Sequence, residues 1–223
     1  MKKSVFCQQR IFTAFLCAFF LFISGSYAQT YNDGTIEYDV MLAGNADPET
    51  FSMFQNAYMI LYIRGHHTRT EIHTSLGNTI TLYDENKGDA VILNEYGNQR
   101  VMVRLSPDQY KKVNKKYLNP TITPLKEEKT ISNYKCKTSK LKFQDGSSFV
   151  IYYSTDLKFQ TVYNGIPVIL EGFPFEYESD MGGIKVRYKV RKIKLDAVSS
   201  NLFVIPEEGY REVKFEEIYK NDL

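Results

Sequence analysis

Short runs of alternating apolar and polar residues fill most of the chain, and turn residues separate them. Ile36, Tyr38 and Val40 alternate with Glu37 and Asp39, the pattern of a strand with one wet face. Ile80/Leu82, Val91/Leu93 and Val101/Val103/Leu105 repeat the period of two, and Phe149/Ile151/Tyr153 do so after an Asp145-Gly146 turn. Gly65, Gly77, Gly88 and Gly97 lie 12, 11 and 9 residues apart, with Asn78, Asn86, Asp89 and Asn98 beside them. Strands at that spacing, joined by tight turns, predict an antiparallel meander.

One hairpin can be deduced residue by residue. Gly182-Gly183 suits a two-residue turn, because both positions tolerate positive φ. Pairing Met181 with Ile184 then sets Asp180 against Lys185, Glu178 against Arg187 and Glu176 against Lys189. On the other face Tyr177 meets Tyr188 and Phe175 meets Val190. A slip by one residue would invert both faces. Lys185, Arg187, Lys189 and Arg191 therefore read as a solvated strand face and not as a phosphate-binding stripe.

Helical spacing is confined to three short segments. Asp47-Pro48-Glu49 supplies a cap, a proline at the first helical position and an acid at the positive helix end, predicting a helix to about Ala57 that presents Phe51 and Phe54 together. Ser106 and Gln109 have capping-box spacing, and Tyr110, Val113 and Tyr117 follow on one face. A third helix is expected over Glu212 to Lys220, although Val213 and Phe215 would also suit a strand. No internal repeat, low-complexity tract or interdomain linker interrupts these elements.

Composition changes the picture at the N-terminus. Lys2, Lys3 and Arg10 precede 13 uncharged residues, Ile11 to Ile23, and Ser24-Gly25-Ser26-Tyr27-Ala28 has small residues at the two positions that signal peptidase reads. A signal peptide cleaved after Ala28 is expected, leaving residues 29–223 as one domain exported to the periplasm or beyond. The apolar stretch is short for a span of about 20 residues, so an integral membrane protein is not expected. Cys7 and Cys17 leave with the signal, and Cys136 alone cannot make an intramolecular disulfide. Removing three of 28 basic residues leaves 25 against 26 acidic ones, a formal balance near −1 that gives no electrostatic case for nucleic acid. The many Tyr and Phe residues favour sheet.

Candidate chemistry is sparse. His67, Arg69, Glu71 and His73 would share one strand face, with His66 close by, but the fixed charge of Arg69 opposes a dication there. No CxxC or HExxH pattern accompanies them, and no metal is expected. Cys136 lies between Lys135 and Lys137, which could lower its pKa and make a nucleophile; a small half-buried strand residue is the simpler account. Nucleophile elbows, P-loops and dinucleotide fingerprints are missing from the sequence, so neither catalytic residues nor a cofactor is expected and the chain reads as non-enzymatic.

A long antiparallel sheet must curl, because each strand twists against the next. Its aromatic concave face has two possible fates. Side chains fill it as an ordinary core, or short amphipathic helices close over a cavity that accepts an acyl chain or another apolar ligand.

Several segments resemble a domain-of-unknown-function family of exported Gram-negative envelope proteins. These are Asn133-Tyr134-Lys135-Cys136-Lys137, Ile151-Tyr152-Tyr153-Ser154-Thr155, Glu171-Gly172-Phe173-Pro174-Phe175-Glu176-Tyr177 with Met181-Gly182-Gly183, and Leu202-Phe203-Val204-Ile205-Pro206 with Gly209-Tyr210. Gly34-Thr35-Ile36-Glu37-Tyr38 and Arg69-Thr70-Glu71 also fit, so the resemblance covers nearly the whole mature chain. Phe173 and Phe175 depart from the leucines of the family pattern, and the bulkier rings take space that a ligand would need. Such proteins are similar in fold to LolA-type lipoprotein carriers. The resemblance implies a mainly β domain with short helices: a curved antiparallel sheet, or half-open β-barrel, covered by helices around an apolar cavity. The aromatic sheet face with its amphipathic cover suits binding or carriage of a hydrophobic ligand such as a lipid or lipid-modified protein. Phe51 and Phe54 would belong to the lid, Val101, Val103, Ile151, Tyr177 and Tyr188 would line the sheet, and Arg69 would anchor the lid. The alternative is a secreted interaction or scaffold domain with a solid core and an envelope-protein partner.

Overall fold

The computed structural model describes residues 29–160, 171–181 and 183–219. The expected signal segment, Gly182 of the Gly-Gly turn and Lys220 lie outside the described residues. Strands β1 (Gln29–Tyr31), β2 (Asp33–Leu42), β3 (Tyr58–Arg64), β4 (His67–Thr74), β5 (Gly77–Asp84), β6 (Asp89–Tyr96) and β7 (Gln99–Leu105) occupy the first half. The second half holds β8 (Thr121–Ile131), β9 (Tyr134–Lys142), β10 (Ser148–Ser154), β11 (Leu157–Phe159), β12 (Phe173–Met181), β13 (Ile184–Lys194) and β14 (Arg211–Val213). A 12-stranded sheet runs in the order β14-β7-β6-β5-β4-β3-β2-β13-β12-β10-β9-β8, curved but not closed. It is two antiparallel meanders joined where β13 pairs with β2, while β1 and β11 form a separate parallel ribbon. The fold is therefore mainly β, as the alternation predicts, and a half-open barrel with short helices, as the resemblance implies.

Turn chemistry sets the meander. Where β5 leaves its turn, a Cβ on Gly77 would lie 1.9 Å from the Glu95 carbonyl oxygen, so glycine alone fits. The β12–β13 hairpin has the expected register from Met181↔Ile184 to Glu176↔Lys189, and Phe175 and Val190 lie beyond its last paired residues. Its ion pairs differ from those the register suggests. Glu178 and Arg187 do meet, at 2.7 Å, but Asp180 turns to Lys116 at 3.4 Å and the buried Glu176 to Lys129 at 2.7 Å. Curvature brings those lysines from elsewhere in the chain, which no pairwise register can express.

Helices α1 (Pro48–Met53) and α2 (Pro107–Val113) start where their caps dictate. Asp47 accepts the backbone N–H groups of Glu49 and Thr50 at 3.0 and 2.9 Å, and Ser106 and Gln109 form a reciprocal capping box. Helix α1 stops earlier than expected, because positive φ at Asn56 turns the chain into β3. Phe54 consequently packs in the core while Phe51 stays 64% exposed. The expected C-terminal helix is largely replaced. Strand β14 pairs in parallel with β7, and α3 (Phe215–Ile218) keeps only one turn. Edge pairing wins there because it satisfies the free N–H and C=O groups of β7 and buries Val213.

Both faces of the sheet are covered in part. Inside, one apolar cluster gathers Ile36, Tyr38, Met59, Ile151, Phe175 and Tyr188 with their neighbours, and a second gathers Ile92, Val103, Tyr110, Val213 and Phe215. Outside, Ile80, Leu82, Val91, Leu93 and Met102 pack under Ile205 and Tyr210. The alternating pairs Val91/Leu93 and Val101/Val103 thus fall on opposite faces, and β6 is buried on both. A strap, residues 195–210, makes the difference.

Candidate functional site

The two inner clusters do not meet. Between them lies a half-open cavity of about 200 Å³, bordered by α2 on one side and by strands from β6 round to β12 on the other. The capping box fixes the first turn of α2 and points Tyr110 inward, where its ring stacks on Tyr83 at 4.9 Å. Tyr177 and Tyr188, cross-strand partners in the hairpin, stack at 4.9 Å on the opposite wall. Burial pushes all three of Tyr110, Tyr177 and Tyr188 above the ordinary phenol range, so these walls are neutral at physiological pH. The Tyr117 hydroxyl locks the hairpin end, donating to the Asp180 carbonyl at 3.0 Å and accepting from Ser179 at 2.9 Å.

The floor is polar in an unexpected way. Thr70 and Thr81 face each other across β4 and β5, and Thr68 faces Tyr83. Their hydroxyls line the cavity beside Met59, Ile72 and Ile92. Apolar periodicity does not mark these threonines. Thr68/Thr70 and Thr79/Thr81 do carry the period of two that would have revealed a shared face.

The expected lining residues separate in the fold. Tyr177 and Tyr188 line the cavity, and Val103 packs behind it in the Tyr110 cluster. Ile151 is fully buried in the other cluster, Phe54 lies in that same cluster, and Val101 is half-buried on β7. Phe173 and Phe175 fill the far end of the barrel, their rings edge to face at 5.8 Å. Arg69 points outward. It pairs with Glu71 and donates to the Leu202 carbonyl at 2.9 Å, so the element it holds is the strap.

The outward groups of β4 are tied to one another. His73 contacts Glu71 at 3.2 Å and Asn78 at 2.7 Å, and its ring stacks on Tyr58; His66 contacts Glu85 at 3.0 Å. No group of three or more His, Cys, Asp or Glu among the described residues is arranged to hold a metal ion. Cys136 is buried on β9, and burial pushes its thiol up to about 11. A second depression, of about 220 Å³, lies on the outer face under the strap. Two of its basic side chains already meet an acid, with Lys87 at 3.1 Å and His67 at 3.6 Å from Asp84. No helix among the described residues is long and apolar enough to cross a membrane.

Fold and site define a half-open β-barrel with a small helix-covered cavity. The sequence matches no protein-family profile and no curated protein. Among solved structures, PNGF-II is similar over 85% of this chain at 12% identity and a TM-score of 0.45, and the chain spans about a third (33%) of its length. MucB is similar over 81% of this chain and 60% of its own, at 10% identity and a TM-score of 0.43. A β-barrel-like protein of a domain of unknown function from Brucella abortus is similar over 75% of this chain and 99% of its own, at 11% identity and a TM-score of 0.36.

Proposed function

We propose that the chain is an exported, non-enzymatic binding protein or carrier for a hydrophobic ligand, such as a lipid or a lipid-modified protein, in the manner of LolA-type carriers. The observation that carries this reading is the cavity between α2 and the inner face of the sheet, walled by Met59, Ile72, Ile92 and Val113. Two inner clusters that could have closed on each other leave room instead. Helix α2 is the cover, since it supplies Tyr110, Val113 and Asn114 to the wall. At about 200 Å³ the cavity is below the roughly 300–1,000 Å³ of most ligand pockets, so a long chain enters only as α2 swings outward.

The test is uptake of the neutral dye phenylnaphthylamine by purified protein, with native mass spectrometry of freshly isolated material. Dye fluorescence is expected to rise on binding, and Ile92→Trp, which fills the cavity, is expected to abolish the rise while circular dichroism stays unchanged. Folded protein that takes up no dye and carries no lipid would leave the alternative, a solid-core domain that binds an envelope protein through its surface.

A further inference from the structure

The described wall of the inner cavity is uncharged. Among the described residues that line it there is no Asp, Glu, Lys, Arg or His, whereas the outer depression has Asp84, Lys87, Asp89 and Arg104 in its wall. The pleat explains the contrast. On β4 the charged and imidazole side chains of His67, Arg69, Glu71 and His73 occupy one face, and Thr68, Thr70 and Ile72 occupy the other.

Hydroxyls, by contrast, converge on it. Thr70 opposes Thr81, Thr68 adjoins both, and the stacked Tyr177 and Tyr188 stand across the cavity. Among the described residues, none forms a hydrogen bond with the side-chain hydroxyls of these five. None of the five is among the described hydroxyls shut off from water, so a bound molecule that displaces that water must bring oxygen acceptors or donors of its own to keep them satisfied. A carboxylate or an ammonium gains much less, because it loses its hydration in a wall that offers no opposite charge.

Resting on the carrier reading above, we infer that the ligand is an uncharged amphiphile, and that it enters with a hydroxyl- or ester-bearing end against the threonine floor. Its size is bounded. At roughly 30 Å³ for each water-sized group, the cavity holds about six or seven, enough for a glycerol group, with the ester and first methylenes admitted as α2 moves outward. The methylenes meet Met59, Ile92 and Val113, and the oxygens meet Thr70 and Thr81.

Three probes with one shared chain test this: monododecanoylglycerol, dodecanoate at mildly alkaline pH, and dodecyltrimethylammonium, each displacing phenylnaphthylamine from the purified protein. Monododecanoylglycerol is expected to bind about tenfold more tightly than either charged probe. The Thr70→Val, Thr81→Val variant, close in shape but lacking both hydroxyls, is expected to lose most of that preference and keep its affinity for the dye. Dodecanoate binding as tightly as the glyceride, with dye uptake intact, would overturn the neutral-ligand assignment and leave the carrier reading standing. An unchanged preference in the double variant would overturn the threonine floor as its cause. Failure of dye and all three probes to bind folded protein removes both readings together.

Discussion

Single residues in this protein are decided by which side of a pleat they fall on. Lys135 and Lys137 flank Cys136 in sequence, yet both are exposed on the opposite face while the thiol is buried. Burial therefore governs the thiol and raises its pKa, where charge alone would have lowered it. The neighbouring Thr138 and Ser139 are also buried, and no described residue provides a hydrogen-bond partner for either side-chain oxygen. Ser139→Ala is accordingly expected to stabilise the fold by about 1 kcal/mol in urea unfolding, because it removes an unpaid desolvation. Tyr38→Phe is the opposite case. Its hydroxyl, fully buried, donates to the Pro174 carbonyl at 3.1 Å, and losing that bond is expected to cost about 1 kcal/mol.

Elements vary in how much of themselves they declare. The β12–β13 hairpin and the starts of α1 and α2 were legible, because turn and cap residues act on their immediate neighbours. The strap was not. Residues 195–210 have no periodicity of their own, and their hold on the sheet depends on distant partners such as Glu95, whose carboxylate accepts from the Tyr210 hydroxyl. This contact yields a pH prediction. The hydrogen bonds from Tyr210 and then Asn78 hold Glu95 below its ordinary range, so its contribution is full above the unfolded carboxylate pKa and fades as acid passes the depressed value. Burial and the Glu95 bond push Tyr210 from 10.0 to about 12, so its contribution is full below 10.0 and is lost as pH rises through about 12. The Tm difference between the natural protein and Tyr210→Phe should be greatest between these limits and shrink towards both. A difference constant across pH would refute the coupling.

The whole molecule is organised by the division between an inner and an outer face. Arg69 illustrates it. Expected as an anchor for a lid, it lies outside and holds the strap through Leu202, on the face away from the cavity. Arg69→Met is expected to destabilise the protein by about 2 kcal/mol and to speed amide hydrogen exchange in residues 195–210. Dye uptake should stay unchanged, since no atom of Arg69 lines the inner cavity. Slower uptake in this variant would show that strap and cavity are coupled across the sheet.

From sequence alone came the β class, the meander, the hairpin register and the capped helix starts. All of these rest on contacts within a few residues or on a simple period of two. The three-dimensional arrangement decided which face of each strand became concave, how β13 closed against β2, and where two apolar clusters stopped short of each other. Alternation separates two faces of a strand without saying which one the curling sheet encloses. That choice depends on strands more than a hundred residues apart, as when Tyr38 meets Tyr177, and so it belongs to packing and not to pattern.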